Sequence, residues 1–321
     1  MIVRQHDQLG DFLMSTPVFR EIKRALPRCR ISVVVTPYTA AVAENNPHID
    51  ELMVYQPKFF KWGLSGLFQF IRRIRSKYDL AMVLNTPSRS FTSDLIAFFS
   101  GAHFRLGMEP RPEGDPVKYD FLYHRTSPRP HPRINQTLEN LTILQALGIT
   151  PQDRREEMFL RDEEIAWAKK TLAALSMNAP VLFLPGAGKK ENRWPPEYFI
   201  ELGKKIRNAP LLVLWGPGQG DTGEKVLEGL SSAGAQTVRD TSIRQMAAVI
   251  SLARLVVCND TGDLHISAAA GAKTVALFGP TEPDTYLPFG DHVHYCRSAD
   301  GTMKGLSIEK VLAHSAFSGV Y

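Results

Sequence analysis

Cysteine is scarce in this chain of 321 residues: Cys29, Cys258 and Cys296 are its only three. An odd count without a paired knuckle spacing excludes a disulfide framework and a cysteine-rich zinc module, and it fits a reducing compartment. Cys258 closes the apolar run Leu255-Val256-Val257 and reads as a buried strand residue, not a nucleophile. Long hydrophobic runs are missing as well. No apolar run reaches the length of a membrane span, and the opening MIVRQHDQLGD has no signal-like apolar stretch, so a soluble, cytoplasmic protein is expected. The nine histidines form no HExxH or comparable spacing, and no metal site is expected. The absence of GxGxxG argues against a dinucleotide oxidoreductase, and the absence of a Walker A loop against a P-loop NTPase. No internal repeat or low-complexity tract interrupts the chain.

One stretch lacks acid altogether. From Gln56 to Tyr78 the sequence holds Lys58, Lys61, Arg72, Arg73, Arg75 and Lys77, interleaved with Phe59, Phe60, Trp62, Leu64, Leu67, Phe68, Phe70 and Ile71. Such a basic, aromatic, amphipathic segment suits an anionic membrane surface or an amphiphile. It equally suits a helix with a buried apolar face and a solvated basic one. The net charge of the whole chain is +5, which fits an anionic partner without choosing one. No nucleic-acid partner is expected.

What is present is globular and α/β. Hydrophobic residues make up 44% and charged residues 22%, and the length accommodates two domains with large cores. Short β-branched runs at 2–3, 31–35 and 80–84, and again at 181–184, 211–215, 255–258 and 274–277, alternate with helical periodicity. That alternation predicts two doubly wound parallel sheets. The boundary is expected at 175/176, giving domains 1–175 and 176–321, with a helix over 162–175 leading into the second. Thr16-Pro17 opens a helix by its cap and first-turn proline. Gly148 stops a helix over 134–147. The proline-rich stretch 103–133 reads as long edge loops. A last helix over 307–316 is expected to pack back on the N-terminal domain.

Four strand-to-helix turns carry the candidate chemistry. Asn259-Asp260-Thr261-Gly262-Asp263-Leu264-His265 runs from a strand into an alanine-rich helix. Free N–H groups and the positive end of the helix dipole there attract phosphate, and Gly262 allows close approach. Asp260 and Thr261 are equally good helix caps, so both readings stand on these residues alone. His265 lies one helical turn on, either facing the same ligand or serving as a structural histidine. The segment Pro185-Gly186-Ala187-Gly188-Lys189-Lys190-Glu191-Asn192-Arg193-Trp194 offers backbone donors at Gly186 and Gly188 and cations at Lys189, Lys190 and Arg193. It suits a diphosphate, or a flexible surface turn. Gly10 is expected to form a tight turn that puts Asp11 at the carboxyl edge of the first sheet, where a carboxylate can act as general base or merely precede a helix. Trp215-Gly216-Pro217-Gly218-Gln219-Gly220-Asp221 could wrap a nucleoside, with Gln219 or Asp221 on the ribose hydroxyls. Thr241 completes the candidate donor-binding set.

Taken in order, LGDFLMSTPVFREIKRALP, NPHID, LPGAGKKENRWPPEYF, WGPG and NDTGDLHISAAAGAKTVALFGPTEP resemble the ADP-heptose:lipopolysaccharide heptosyltransferases of glycosyltransferase family nine, across most of the chain. The resemblance implies the GT-B architecture, two Rossmann-like domains facing a cleft. It implies an inverting, metal-independent and cofactor-free transfer of heptose or a related sugar. The nucleotide donor, ADP-heptose in the family, would bind the C-terminal domain. An anionic inner-core glycolipid acceptor would bind the N-terminal one. Asp11 falls on the family's catalytic aspartate and His265 on a pocket histidine. The lipid end of such an acceptor would bring the protein to the cytoplasmic face of the inner membrane through Lys58 to Lys77. Two departures stand out. Asn192 occupies the place of a family lysine, which Lys189 or Lys190 could replace. Gln219-Gly220 replace an acidic residue expected on ribose, with Asp221 one step away. Rival functions are a nucleotide-sugar epimerase of the same fold and a non-catalytic nucleotide-sugar binder.

Overall fold

The computed structural model describes residues 2–5, 8–55, 63–75, 78–84, 90–110 and 120–320. They form two compact units, Met1–Glu156 and Glu157–Tyr321. The first carries six parallel strands: β1 (Ile2–Gln5), β2 (Ser32–Val35), β3 (Glu51–Val54), β4 (Leu80–Leu84), β5 (Phe104–Met108) and β6 (Arg125–Ser127). Their order is β3-β2-β1-β4-β5-β6, the doubly wound arrangement with its switch point beside β1. Register follows the β-branched pattern, with Val3 opposite Val33 on one side and Met82 on the other.

The second unit holds β7 (Val181–Leu184), β8 (Leu211–Val213), β9 (Leu255–Asn259), β10 (Thr274–Phe278) and β11 (Val293–Arg297), all parallel in the order β11-β10-β9-β7-β8. Beyond β8 a single parallel bridge joins Leu212 to Gln236. Val213 N–H donates to the Gln236 carbonyl at 2.9 Å, and Gln236 N–H to the Leu211 carbonyl at 3.1 Å. Counting that bridge as a vestigial strand, the second sheet repeats the order of the first. Strands β7, β9 and β10 are buried along their whole length, because helices cover both faces of a parallel sheet.

Three expectations change. The unit boundary falls at 156/157, not 175/176. Residues 152 and 153 donate their backbone N–H groups to the buried Glu21 carboxylate of the helix Thr16–Ala25, which straps them to the first unit. The helix Asp162–Ala174 is tied to the second unit, where the Arg244 guanidinium holds Glu164 and the Phe159 carbonyl. The tail, expected to pack back on the first unit, belongs to the second, whose core it enters through Leu306, Ile308, Val311, Phe317 and Val320. The stretch 103–133 contains β5 and β6, of which β6 is the edge of the sheet: together they are half polar, so the pairing partner rather than the sequence pattern defines them. Elsewhere the local signals hold. Pro17 stands in the first turn of the helix Thr16–Ala25, with Ser15 rather than the expected Thr16 at the cap position and no side-chain hydrogen bond there, and Gly148 ends the segment Gln136–Leu147 with φ at 70°.

The basic stretch falls partly outside the described residues. Lys58, Phe59, Phe60, Lys61, Trp62 and Lys77 are not among them, nor are the side chains of Leu64 and Leu67. The rest is the helix Gly63–Ile74, which buries Ile74 and leaves Phe68 70% exposed. Among the described residues no helix is long and apolar enough to cross a membrane.

Candidate active site

The second unit assembles its candidate residues at the switch point between β7 and β9. β9 ends in Asn259, which is fully buried. Its amide donates to the carbonyls of Pro185 at 2.9 Å and Gly186 at 3.1 Å, while its side-chain oxygen accepts the Trp194 N–H at 3.0 Å. One side chain thus pins both ends of the loop that follows β7. Asn192 adds a second stitch, donating to the Asp260 carbonyl at 3.2 Å. The departure seen in the sequence therefore has a structural use. Trp194 anchors the loop from below: its ring is fully buried against Phe199 and its Nε1 donates to the Leu306 carbonyl at 2.8 Å.

Asp260-Thr261-Gly262 then start the helix Gly262–Ala269. Thr261 is its cap, its hydroxyl oxygen accepting the Asp263 N–H at 3.1 Å, so the capping reading is realised. The Thr261 hydroxyl keeps its proton to donate, and the first turn carries the positive end of the helix dipole. Asp260 is buried, and burial pushes its carboxyl above the usual range. The Thr281 hydroxyl, His265 and Lys189 oppose that shift. His265 lies within the helix that Thr261 caps, and Lys189 lies in the loop after β7 that Asn192 stitches to Asp260. Lys190 is exposed, at the start of the turn Lys190–Asn192. Burial also raises the Asp263 carboxyl, to about 6. Cys258 is a buried strand residue, its thiol pushed well up by burial, which leaves it inert.

Arg193 turns inward along the loop. Its Nε donates to the Ala187 carbonyl at 2.8 Å, and its guanidinium stands 3.8 Å from the Asp221 carboxylate. Gln219 folds back over the loop after β7: it accepts the Gly216 N–H at 3.2 Å, and a β-carbon at Gly186 would overlap its amide. Gly186 is thus required by close packing, whereas Gly188 is exposed with open space around it.

Beside this loop lies a cavity of about 380 Å³ lined by Trp215, Gly216, Pro217, Gly218, Gly220, Val238, Arg239, Asp240 and Thr241. Trp215 forms one wall. Its indole lies flat on Gly223, where a β-carbon would clash, and Arg239 stacks over it at 5.7 Å. Arg239 is itself held by both oxygens of Glu224. Thr241 lines this cavity; Gln219 and Asp221 do not. Thr281, Arg239 and Asp240 were not singled out from the sequence, and Asn259 and Trp215 entered only as the first residues of their motifs, with no role of their own. Asn259 ends an apolar strand, and Thr281 follows the next one, which is the signal that could have flagged both.

In the first unit Asp11 follows β1 at the switch point, as expected. The local structure differs: Gly10 and Asp11 lie within a short helix, Leu9–Leu13, and not in a tight turn. Its carbonyl accepts the Ser15 hydroxyl at 2.8 Å, and Asn140 donates to the Met14 carbonyl at 3.0 Å, which fixes the end of that helix. The Asp11 side chain is half-buried. Among the described residues no three histidine, cysteine or acidic side chains group as metal ligands.

Residues 67–315, most of the chain, match glycosyltransferase family 9 (heptosyltransferase). The chain belongs to this family. It is a glycosyltransferase. Lipopolysaccharide heptosyltransferase 2 of Salmonella typhimurium is 25% identical over 311 residues, covering 92% of this chain and 87% of that one. The family 9 fold recurs in the solved glycosyl transferase family 9 structure from Veillonella parvula, with a TM-score of 0.83 at 21% identity and coverage of 97% and 94%. It recurs also in Escherichia coli ADP-heptose lps heptosyltransferase II, with a TM-score of 0.79 at 20% identity and coverage of 97% and 96%. Both are two-domain GT-B structures, and the pair of Rossmann-like sheets seen here is that architecture.

Proposed function

We propose that this family 9 enzyme transfers heptose or a related sugar from an ADP-linked donor to an inner-core lipopolysaccharide or similar anionic glycan, with inversion. The observation that carries the reading is the Asn259-stitched switch point of the second unit. There a rigid loop and a helix start converge beside a cavity of nucleoside size. In this reading the diphosphate lies on the Thr261 and Gly262 amides, Lys189 supplies the cation that the family lysine would have given, and His265 lines the pocket. The base and ribose enter the cavity against Trp215, with Asp240 and Thr241 as polar partners. Arg193, Gln219 and Asp221 shape the loop.

The chemistry asks little else of the protein. Asp11 takes the proton of the acceptor hydroxyl as its oxygen attacks the anomeric carbon. The bond from that carbon to the phosphate oxygen breaks on the opposite side, and ADP leaves. Aligned backbone donors and the helix dipole hold the negative charge that develops on the diphosphate, so transfer proceeds without metal or cofactor. The acceptor binds the first unit. Its lipid end is met by the stretch from Lys58 to Lys77, of which the described part exposes Phe68 and Arg72.

Two measurements test this. ADP, UDP and GDP are compared for thermal stabilisation, and turnover of ADP-heptose is followed with and without deacylated inner-core acceptor. The expected result is selective stabilisation by ADP and acceptor-dependent release of ADP. Release of an epimerised nucleotide sugar without acceptor would move the assignment to an epimerase. Binding with no turnover under either condition would leave a non-catalytic binder.

A further inference from the structure

Four exposed phenylalanines of the first unit come together from three separate segments. Phe98 and Phe99 end the helix Phe91–Phe99, Phe104 begins β5, and Phe121 lies in the turn Asp120–Leu122. They stand 42%, 44%, 39% and 76% exposed. A chain of contacts shows that they form one patch. The Phe98 and Phe99 rings meet edge-on at 5.5 Å, and the Arg105 guanidinium lies over Phe98 at 5.3 Å. Arg105 Nε donates to the Leu122 carbonyl at 2.6 Å, beside Phe121, and its backbone N–H donates to His124 Nδ1 at 3.0 Å. His124 stacks on Phe104 at 5.4 Å. Arg75 borders the patch, its Cγ 3.5 Å from where a β-carbon on Gly101 would stand.

The patch lies at the amino ends of β4, β5 and β6. Because every strand is parallel, Asp11 lies beyond the opposite ends, so these rings have no part in the chemistry. At those exposures four rings leave roughly 400 Å² of aromatic surface in water, as large as the largest patch on a typical soluble monomer. Among the described side chains its charged border is cationic, with Arg75, Arg105 and Arg125 set against Asp79, whose carbonyl accepts the Phe104 N–H at 2.9 Å.

We infer that this edge is a docking face for an anionic phospholipid bilayer. The phenylalanine rings enter the interface, and the guanidinium groups hold head-group phosphates. A second copy of the chain is the poorer occupant, since a two-fold contact would press the cationic border against itself. The inference goes beyond the proposed reading and stands without it: the face lies at the strand ends opposite Asp11, so it attaches the protein to a bilayer without presenting the acceptor's lipid to the site.

The test is cosedimentation with vesicles of phosphatidylglycerol and phosphatidylcholine in equal parts, against phosphatidylcholine alone. Wild type is compared with Phe98→Ser/Phe99→Ser and, separately, Arg75→Gln. Melting temperature and stabilisation by ADP are measured on each protein. Wild type should partition onto the anionic vesicles only. The double serine variant should lose about tenfold or more of that partitioning, and Arg75→Gln a smaller share, with melting and ADP response unchanged. The inference is overturned if wild type stays in the supernatant, or if the double variant sediments as wild type does. It is overturned equally by a concentration-dependent dimer that the serines abolish without any vesicle binding. Vesicle binding with no ADP response in any protein would instead remove the donor assignment and leave the docking face standing.

Discussion

Asp263 should work against stability at neutral pH, and replacing it with asparagine should reveal by how much. The residue sits in the first turn of the helix Gly262–Ala269, buried, its N–H on the Thr261 hydroxyl and its carbonyl accepting the Ser267 hydroxyl at 2.7 Å. Among the described residues its carboxyl has neither a hydrogen bond nor an ion pair. Burial alone raises it from 3.8 to about 6. Between those values the folded chain holds a proton that the unfolded chain has released. Stability therefore falls as pH rises through that window, and stays at the lower level above it. At about 1.36 kcal/mol per unit the loss is about 3 kcal/mol at most. Asp263→Asn keeps the shape and removes the charge. Thermal melts should show the variant more stable by up to about 3 kcal/mol at pH 8, or roughly 10 °C, with the gain gone near pH 4. The removed charge also adjoins Gly262, so ADP should stabilise the variant at least as much as wild type at pH 8. An equal effect at both pH values, or a less stable variant at pH 8, would refute the reasoning.

Three further outcomes are expected. Asn259→Ala leaves the buried Trp194 N–H without its acceptor, at about 1–3 kcal/mol, and frees both ends of the loop after β7; chemical unfolding should register the first effect and a weakened ADP response the second. Gly186→Ala drives a β-carbon into the Gln219 amide, so the same change in a Gln219→Ala background should be milder in a double-mutant cycle read by ADP affinity. Asp11→Asn removes the base while keeping the side-chain shape, so kcat should fall by about 10²-fold or more with ADP stabilisation unchanged; retained turnover would remove Asp11 from its role.

Much of this protein follows from local sequence. Runs such as 181–184 and 255–258 are apolar on both faces, a pattern that suits a doubly covered parallel strand, so fold class and strand positions could be read directly. The loops after these strands, Asp11 after β1, and the ordered motifs of family 9 were legible for the same reason: ligands of such sheets bind beyond the carboxyl ends. The tertiary structure decided which side chains meet. Asn259 and Trp194 are 65 residues apart, and only the adjacency of β7 and β9 makes them partners. Gln219 and Asp221 read as ribose contacts in a glycine-rich turn, yet packing turns Gln219 onto Gly186 and sets Asp221 near Arg193. Strands β5 and β6 escaped notice because their definition lies in a neighbour's hydrogen bonds. The aromatic face was invisible too, since Phe98, Phe104 and Phe121 belong to three segments that the parallel sheet alone brings to one edge. Sequence sets what each segment can form; contacts between distant segments depend on free energies that no local window contains.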